Sequence, residues 1–132
     1  MATNANELTA YEGGCHCGAV RFRVLVDNWD VQDCNCSICS KKGFLHLIVP
    51  SKQFTLLRGA DALTTYTFNT GIAKHTFCRT CGIHPFYRPR SHPEGFDVNV
   101  RCLDGDVLAQ FHIVPFDGAH WEQNVHLIRS EA

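Results

Sequence analysis

Apolar and polar residues alternate through Val20-Arg21-Phe22-Arg23-Val24, and Val26 continues the apolar face. A period of two is the signature of a half-buried strand. Phe44 to Val49 is a short apolar run ended by Pro50, and Gln53–Leu57, Leu63–Phe68 and Ile72–Phe77 read as further strands. Asn69-Thr70-Gly71 supplies a hairpin turn between the last two. Phe96–Cys102 and Val107–Val114 read as another pair, joined through Leu103-Asp104-Gly105-Asp106. Helical signals are short: a turn or two from Cys36 through Lys42, and a segment carrying Trp121 with Asp117 as its N-cap. The pattern predicts a mainly β chain without repeats or linkers.

At 132 residues the chain has the length of a single domain, with residues 1–10 as an N-terminal tail and 11–132 as the folded unit. Hydrophobic residues at 45% and charged residues at 19% suit a packed core rather than a disordered chain. A net charge of -1 argues against a general nucleic-acid or anionic-membrane binder. No apolar run approaches the roughly 20 residues of a spanning helix. The first residues carry neither a basic nor an apolar signal region, so a cytoplasmic location is expected.

Cysteine changes the picture. Seven of the 8 cysteines fall into three tight groups, Cys15-His-Cys17, Cys34-Asn-Cys36-Ser-Ile-Cys39 and Cys78-Arg-Thr-Cys81. Disulfide frameworks spread their cysteines, because a useful crosslink closes a long loop. Thiols one and two residues apart instead place sulfurs around one ion, at about 2.3 Å per Zn–S bond. Two of the groups are pairs followed at once by glycine, Gly18 and Gly82. A glycine there lets the backbone turn through positive φ and aim amides at sulfur. Cys15, Cys17, Cys78 and Cys81 together make a closed, structural zinc site. Cys34, Cys36 and Cys39 make a three-sulfur site with a fourth position open to water or a thiol, the arrangement of catalytic zinc. Cys102, or one of the histidines, is the alternative that would close it. Two-residue steps from Phe96, Val98 and Val100 place Cys102 on the apolar face of a strand, as a small core residue.

The segment from His84 to Gly95 is stiffened by Pro85, Pro89 and Pro93. Its Tyr87, Arg88, Arg90 and Ser91 are candidates for gripping substrate carboxylates or donating a proton; a solvated connection is the plainer alternative. His46, His75 and His112 lie in strand-like stretches and read as surface or satisfied core residues rather than ligands.

Taken together, Cys-x-Cys-Gly, Cys-x-Cys-x-x-Cys and Cys-x-x-Cys-Gly, in that order between Tyr11 and Trp121, resemble the glutathione-dependent formaldehyde-activating enzyme family, also called the centromere protein V/Gfa family. The stretches Phe86–Phe96 and Val100–Asp104 look closer to its centromere protein V branch. The resemblance implies a β-tent fold of several antiparallel sheets. It implies a structural zinc at Cys15, Cys17, Cys78 and Cys81 and a catalytic-type zinc at Cys34, Cys36 and Cys39. It also implies carbon–sulfur lyase chemistry, in which glutathione adds to formaldehyde to give S-hydroxymethylglutathione.

The expected enzyme reversibly adds a glutathione-like thiol to a small carbonyl compound. The open position would lower the pKa of the incoming thiol. Three thiolates over-neutralise a dication, so this ion is a weak Lewis acid but a good holder of sulfur, and it should exchange more readily than the four-cysteine one. With both ions bound, the net charge falls to about -4, which works against phosphate-backbone binding. The alternative function is a non-catalytic, zinc-stabilised interaction module.

Overall fold

The computed structural model describes residues 7–127. Its strands are β1 (Thr9–Gly14), β2 (Arg21–Val26), β3 (Asp30–Cys34), β4 (Leu45–Val49), β5 (Phe54–Arg58), β6 (Leu63–Tyr66), β7 (His75–Cys78), β8 (Phe86–Tyr87), β9 (Phe96–Asn99) and β10 (His112–Phe116). Two short helices, α1 (Ser37–Lys42) and α2 (Trp121–Asn124), accompany them. The strands form three sheets, ordered β1-β2-β5, β10-β3-β4-β9-β8 and β6-β7. Pairing is antiparallel except between β10 and β3.

The alternation in β2 sends Phe22, Val24 and Val26 into the core and leaves Arg23 exposed. Phe22 stacks on Phe54 of β5 at 5.5 Å, and Phe54 stacks on Phe96 of β9 at 4.2 Å. These rings weld the three-stranded sheet to the five-stranded one, with Leu47, Val98 and Val100 filling the space between. Offset aromatic pairs of this kind contribute about 0.5–1.5 kcal/mol each beyond the area they bury.

The structure departs from the sequence pattern in three places. Residues 103–111 run as turns, and the following strand, β10, pairs in parallel with β3 rather than with β9. The reason is that β9 already has β4 on one edge and β8 on the other. Second, β9 stops at Asn99, whose side-chain oxygen accepts from the Arg101 and Leu45 amides and starts a 3-10 turn. Cys102 therefore sits half-buried in a turn, not on a strand face. Burial pushes its thiol up to about 12. Third, Asp117 does not cap a helix with its side chain. It accepts from Asn35 at 3.0 Å and lies 2.8 Å from His120, and the chain makes a 3-10 turn at Gly118–His120 before α2. Strands β1, β3 and β8 were not evident from the alternation.

Candidate metal centres and the cavity beside them

The first cysteine group joins two turns. Cys15 and Cys17 lie on the β1–β2 connection, Cys78 ends β7, and Cys81 follows it; their four sulfurs all lie within 4.8 Å of one another. Cys15 and Cys17 approach to 3.7 Å, and Cys17 and Cys78 to 3.6 Å. Gly18 and Gly82 take φ values of 83° and 79°, the left-handed region that the sequence anticipated after each pair. The turns aim amides at sulfur: Val20 N–H donates to Cys15 at 3.3 Å and Thr80 N–H to Cys78 at 3.4 Å. Hydrogen bonds from the Cys81 and Thr80 amides hold Cys78 down to about 6, against the opposing effect of burial. Arg58 donates twice to the Gly18 carbonyl, at 3.0 and 3.2 Å, and secures the turn. A group of four sulfurs so arranged can hold a metal ion with no position left over.

The second group is built differently. Cys34 ends β3, Cys36 is the N-cap of α1 and accepts from the Cys39 amide at 3.4 Å, and Cys39 faces inward from the helix. Their sulfurs also lie within 4.8 Å of one another. Hydrogen bonds from Cys34 and Cys39 depress Cys36 to about 2, while Cys34 and Cys39 are both raised, Cys34 to about 11, chiefly through the same sharing. The three thiols share hydrogen bonds, and the cluster resists losing further protons once one is gone. A thiolate-loving dication relieves that resistance, so the donor set fits such an ion. Among the described residues no fourth side chain completes the group. Cys102 lies elsewhere, interacting with Cys15 and Cys81 across the fold.

His46 of β4 comes nearest to completing it, with Nε2 3.1 Å from Cys39 Sγ, yet it does not belong to the cluster around all three sulfurs. Its Nδ1 lies 2.6 Å from Asp97 Oδ2 on β9. Both residues are buried, at 4% and 1% exposure. The Asp97–His46 pair thus fixes the ring that touches Cys39. His46 fits the expected satisfied core histidine, and its contact with a clustered cysteine is an addition that the sequence pattern does not supply. The available signal was one histidine and one acid, each inside an otherwise apolar strand. Asp97 Oδ1 has no hydrogen-bond partner of good geometry among the described residues, although the Tyr87 phenol interacts with this carboxylate.

The three sulfurs open onto a cavity of about 650 Å³, within the range of small-molecule sites. One wall is the end of β10 and the chain that follows it. Phe116 packs on Cys34 and Cys39, and Gly118 sits so close to Cys34 Sγ and Cys36 Cβ that a side chain there would collide with the sulfur. Tyr87, Arg90 and Ser91 line the cavity, whereas Arg88 does not. The Arg88 guanidinium lies 3.9 Å from the Phe96 ring centre and donates to the Gly95 carbonyl at 3.2 Å. Tyr87 is buried, stacked on His75 at 4.7 Å, and burial first, then nearby negative charge, raises its phenol. Arg90 lies 3.7 Å from the Trp121 ring centre and 2.7 Å from Glu122, so it ties the loop to α2 at the rim. Behind Tyr87, Lys42 Nζ lies 3.2 Å from His75 Nδ1 and 4.3 Å from the Tyr87 ring centre; burial lowers its pKa.

Residues 10–115 match the profile of the glutathione-dependent formaldehyde-activating enzyme family. The chain belongs to that family. A Halomonas elongata protein bearing the name "Putative glutathione-dependent formaldehyde-activating enzyme" is 33% identical over 105 residues, covering 73% of this chain and 67% of its own. A crystal structure of a Rhodobacter sphaeroides protein superposes with a TM-score of 0.71 at 42% identity, covering 79% of this chain and 97% of that one. All seven clustered cysteines fall inside the stretch matched to the formaldehyde-activating family, as do His46 and Asp97. Phe116, Gly118, Trp121 and Glu122 lie beyond its end.

Proposed function

We propose that the protein is a zinc-dependent enzyme of the carbon–sulfur lyase type, which reversibly joins a glutathione-like thiol to a small carbonyl compound such as formaldehyde. The observation that carries this reading is the difference between the two cysteine groups: one is complete with four sulfurs, and the other offers three and faces a cavity. Zinc held by Cys34, Cys36 and Cys39 would supply an open position that lowers the pKa of a thiol and keeps its sulfur nucleophilic. The chain supplies the rest. Asp97 and His46 fix Cys39, while Phe116 and Trp121 screen the sulfurs from bulk water. Arg90 and Ser91 stand at the rim, where a substrate carboxylate can meet them. The thiol sulfur forms a bond to the carbonyl carbon, the C=O π pair moves to oxygen, and the proton lost by the thiol ends there as a hydroxyl. Asp97 Oδ1 offers that hydroxyl an acceptor. The reverse sequence expels the thiol.

Metal analysis and adduct formation test the reading together. The wild type should hold two zinc ions and accelerate adduct formation between glutathione and formaldehyde above the spontaneous rate. Cys36→Ser should keep one ion and its fold while losing the acceleration. Unfolding of Cys36→Ser would favour a purely structural zinc module, and no acceleration with any thiol–carbonyl pair would remove the enzymatic reading.

A further inference from the structure

We infer that the His75 ring, with its one proton held on Nε2, donates a hydrogen bond to the carbonyl oxygen as the carbon–sulfur bond forms, and that Lys42 is the positioning residue that keeps the proton there; the inference rests on the reading of the cavity as a thiol–carbonyl site. His75 begins β7 and lines the cavity onto which Cys34, Cys36 and Cys39 open. Two rings stack on it, Tyr87 with centres 4.7 Å apart at 20° and Phe68 with centres 5.5 Å apart at 23°. Only the edge of the imidazole is left for polar contacts.

On that edge, Nδ1 lies 3.2 Å from Lys42 Nζ. The same ammonium lies 4.7 Å from the Phe44 ring centre and 4.3 Å from that of Tyr87, and aromatic faces favour the cation. An ammonium has three donors and no lone pair, so Nδ1 accepts and the ring proton belongs to Nε2. Burial, and then Lys42, lowers the ring to about 4, which leaves it neutral with a single proton to place. Nε2 has no hydrogen-bond partner among the described residues. Nor is it one of the side-chain atoms buried without a partner, which are His84 Nδ1 and Asp97 Oδ1. A donor neither bonded nor sealed off is free to meet a ligand in the cavity its residue lines. The other strong donors there are engaged, Arg90 with Glu122 at the rim and the Tyr87 phenol with Asp97. As sulfur bonds to carbon, the C=O π pair moves to oxygen and charge develops on it. A fixed, neutral N–H steadies that charge without giving up its proton, and the thiol proton still ends on the oxygen. Removing one donor of this kind costs about 10²–10³ in kcat.

Nuclear magnetic resonance of the zinc-loaded protein with isotope-labelled histidine reads the tautomer directly. His75 should carry its proton on Nε2 and none on Nδ1. Glutathione with formaldehyde should shift the Nε2–H resonance, and glutathione alone should leave it in place. His75→Phe keeps the stacking and loses the donor, so kcat for adduct formation should fall about 100-fold while KM for glutathione stays within about twofold. His75→Gln offers an amide N–H in place of Nε2–H and should recover about tenfold of that loss. Lys42→Met should show both tautomers and a several-fold lower kcat. A proton on Nδ1 in the wild type, or a folded His75→Phe with wild-type kcat, would overturn the inference while leaving the thiol–carbonyl reading standing. The tautomer is read on the wild type, so it decides even where a variant unfolds. A wild type that accelerates no thiol–carbonyl pair would overturn that reading, and the inference with it.

Discussion

Asp97, His46 and Cys39 form a chain in which each residue constrains the next. Replacing His46 by Phe keeps the ring stacked near Phe44 but leaves a buried carboxylate without its partner. Breaking a buried pair in this way costs about 3–5 kcal/mol, so His46→Phe should be strongly destabilised in urea. Asp97→Asn retains an acceptor and should lose less. Gly118 makes the opposite demand. A methyl group there meets Cys34 Sγ, so Gly118→Ala should lose the ion of the three-cysteine group and keep the other, as metal analysis would read. His75 gives a pH-dependent outcome. Burial, reinforced by Lys42, lowers it from 6.5 to about 4. The folded state therefore stays neutral at this ring while the unfolded chain takes up a proton, and stability is lost as pH falls from about 6.5 to about 4. Its share is about 2–3 kcal/mol, and denaturation of His75→Phe across that window should fall less steeply than that of the wild type.

At the scale of elements, β2 was legible because a sheet with one buried face writes its period into the chain, and β4 because a strand buried on both faces reads as a continuous apolar run. The same alternation could not find β3, which buries little besides Val31 and Cys34, nor its pairing with a strand 82 positions along, where His112 meets Asp30. Parallel pairing across such a separation leaves no local trace. It explains why the cavity was invisible in the sequence: β10 delivers Phe116 and the segment after it to the cysteines carried by β3 and α1. The cysteine partition and the two glycine turns were legible, because ligand spacing is local chemistry. The pairing of Arg90 with Glu122 was not. Phe116→Ala should loosen this wall, with amides of residues 112–124 exchanging hydrogen faster and the four-cysteine group unaffected. Truncating a buried phenylalanine costs roughly 3–5 kcal/mol, and here the loss should be concentrated in this element.

Across the whole molecule, the four-cysteine group bridges the β1–β2 turn and the end of β7, elements of two different sheets. An ion held there would add its binding free energy to that of folding. A strong chelator should therefore act in two stages, first stripping the three-cysteine ion with the far-ultraviolet circular dichroism unchanged, then unfolding the chain as the second ion leaves. Cys78→Ser should begin at the second stage.

The stretch matched by the family profile ends at residue 115, one position before Phe116. Phe116 and Gly118, just past that point, lie directly against the three-cysteine turn, so the two lengths of polypeptide can change shape only together.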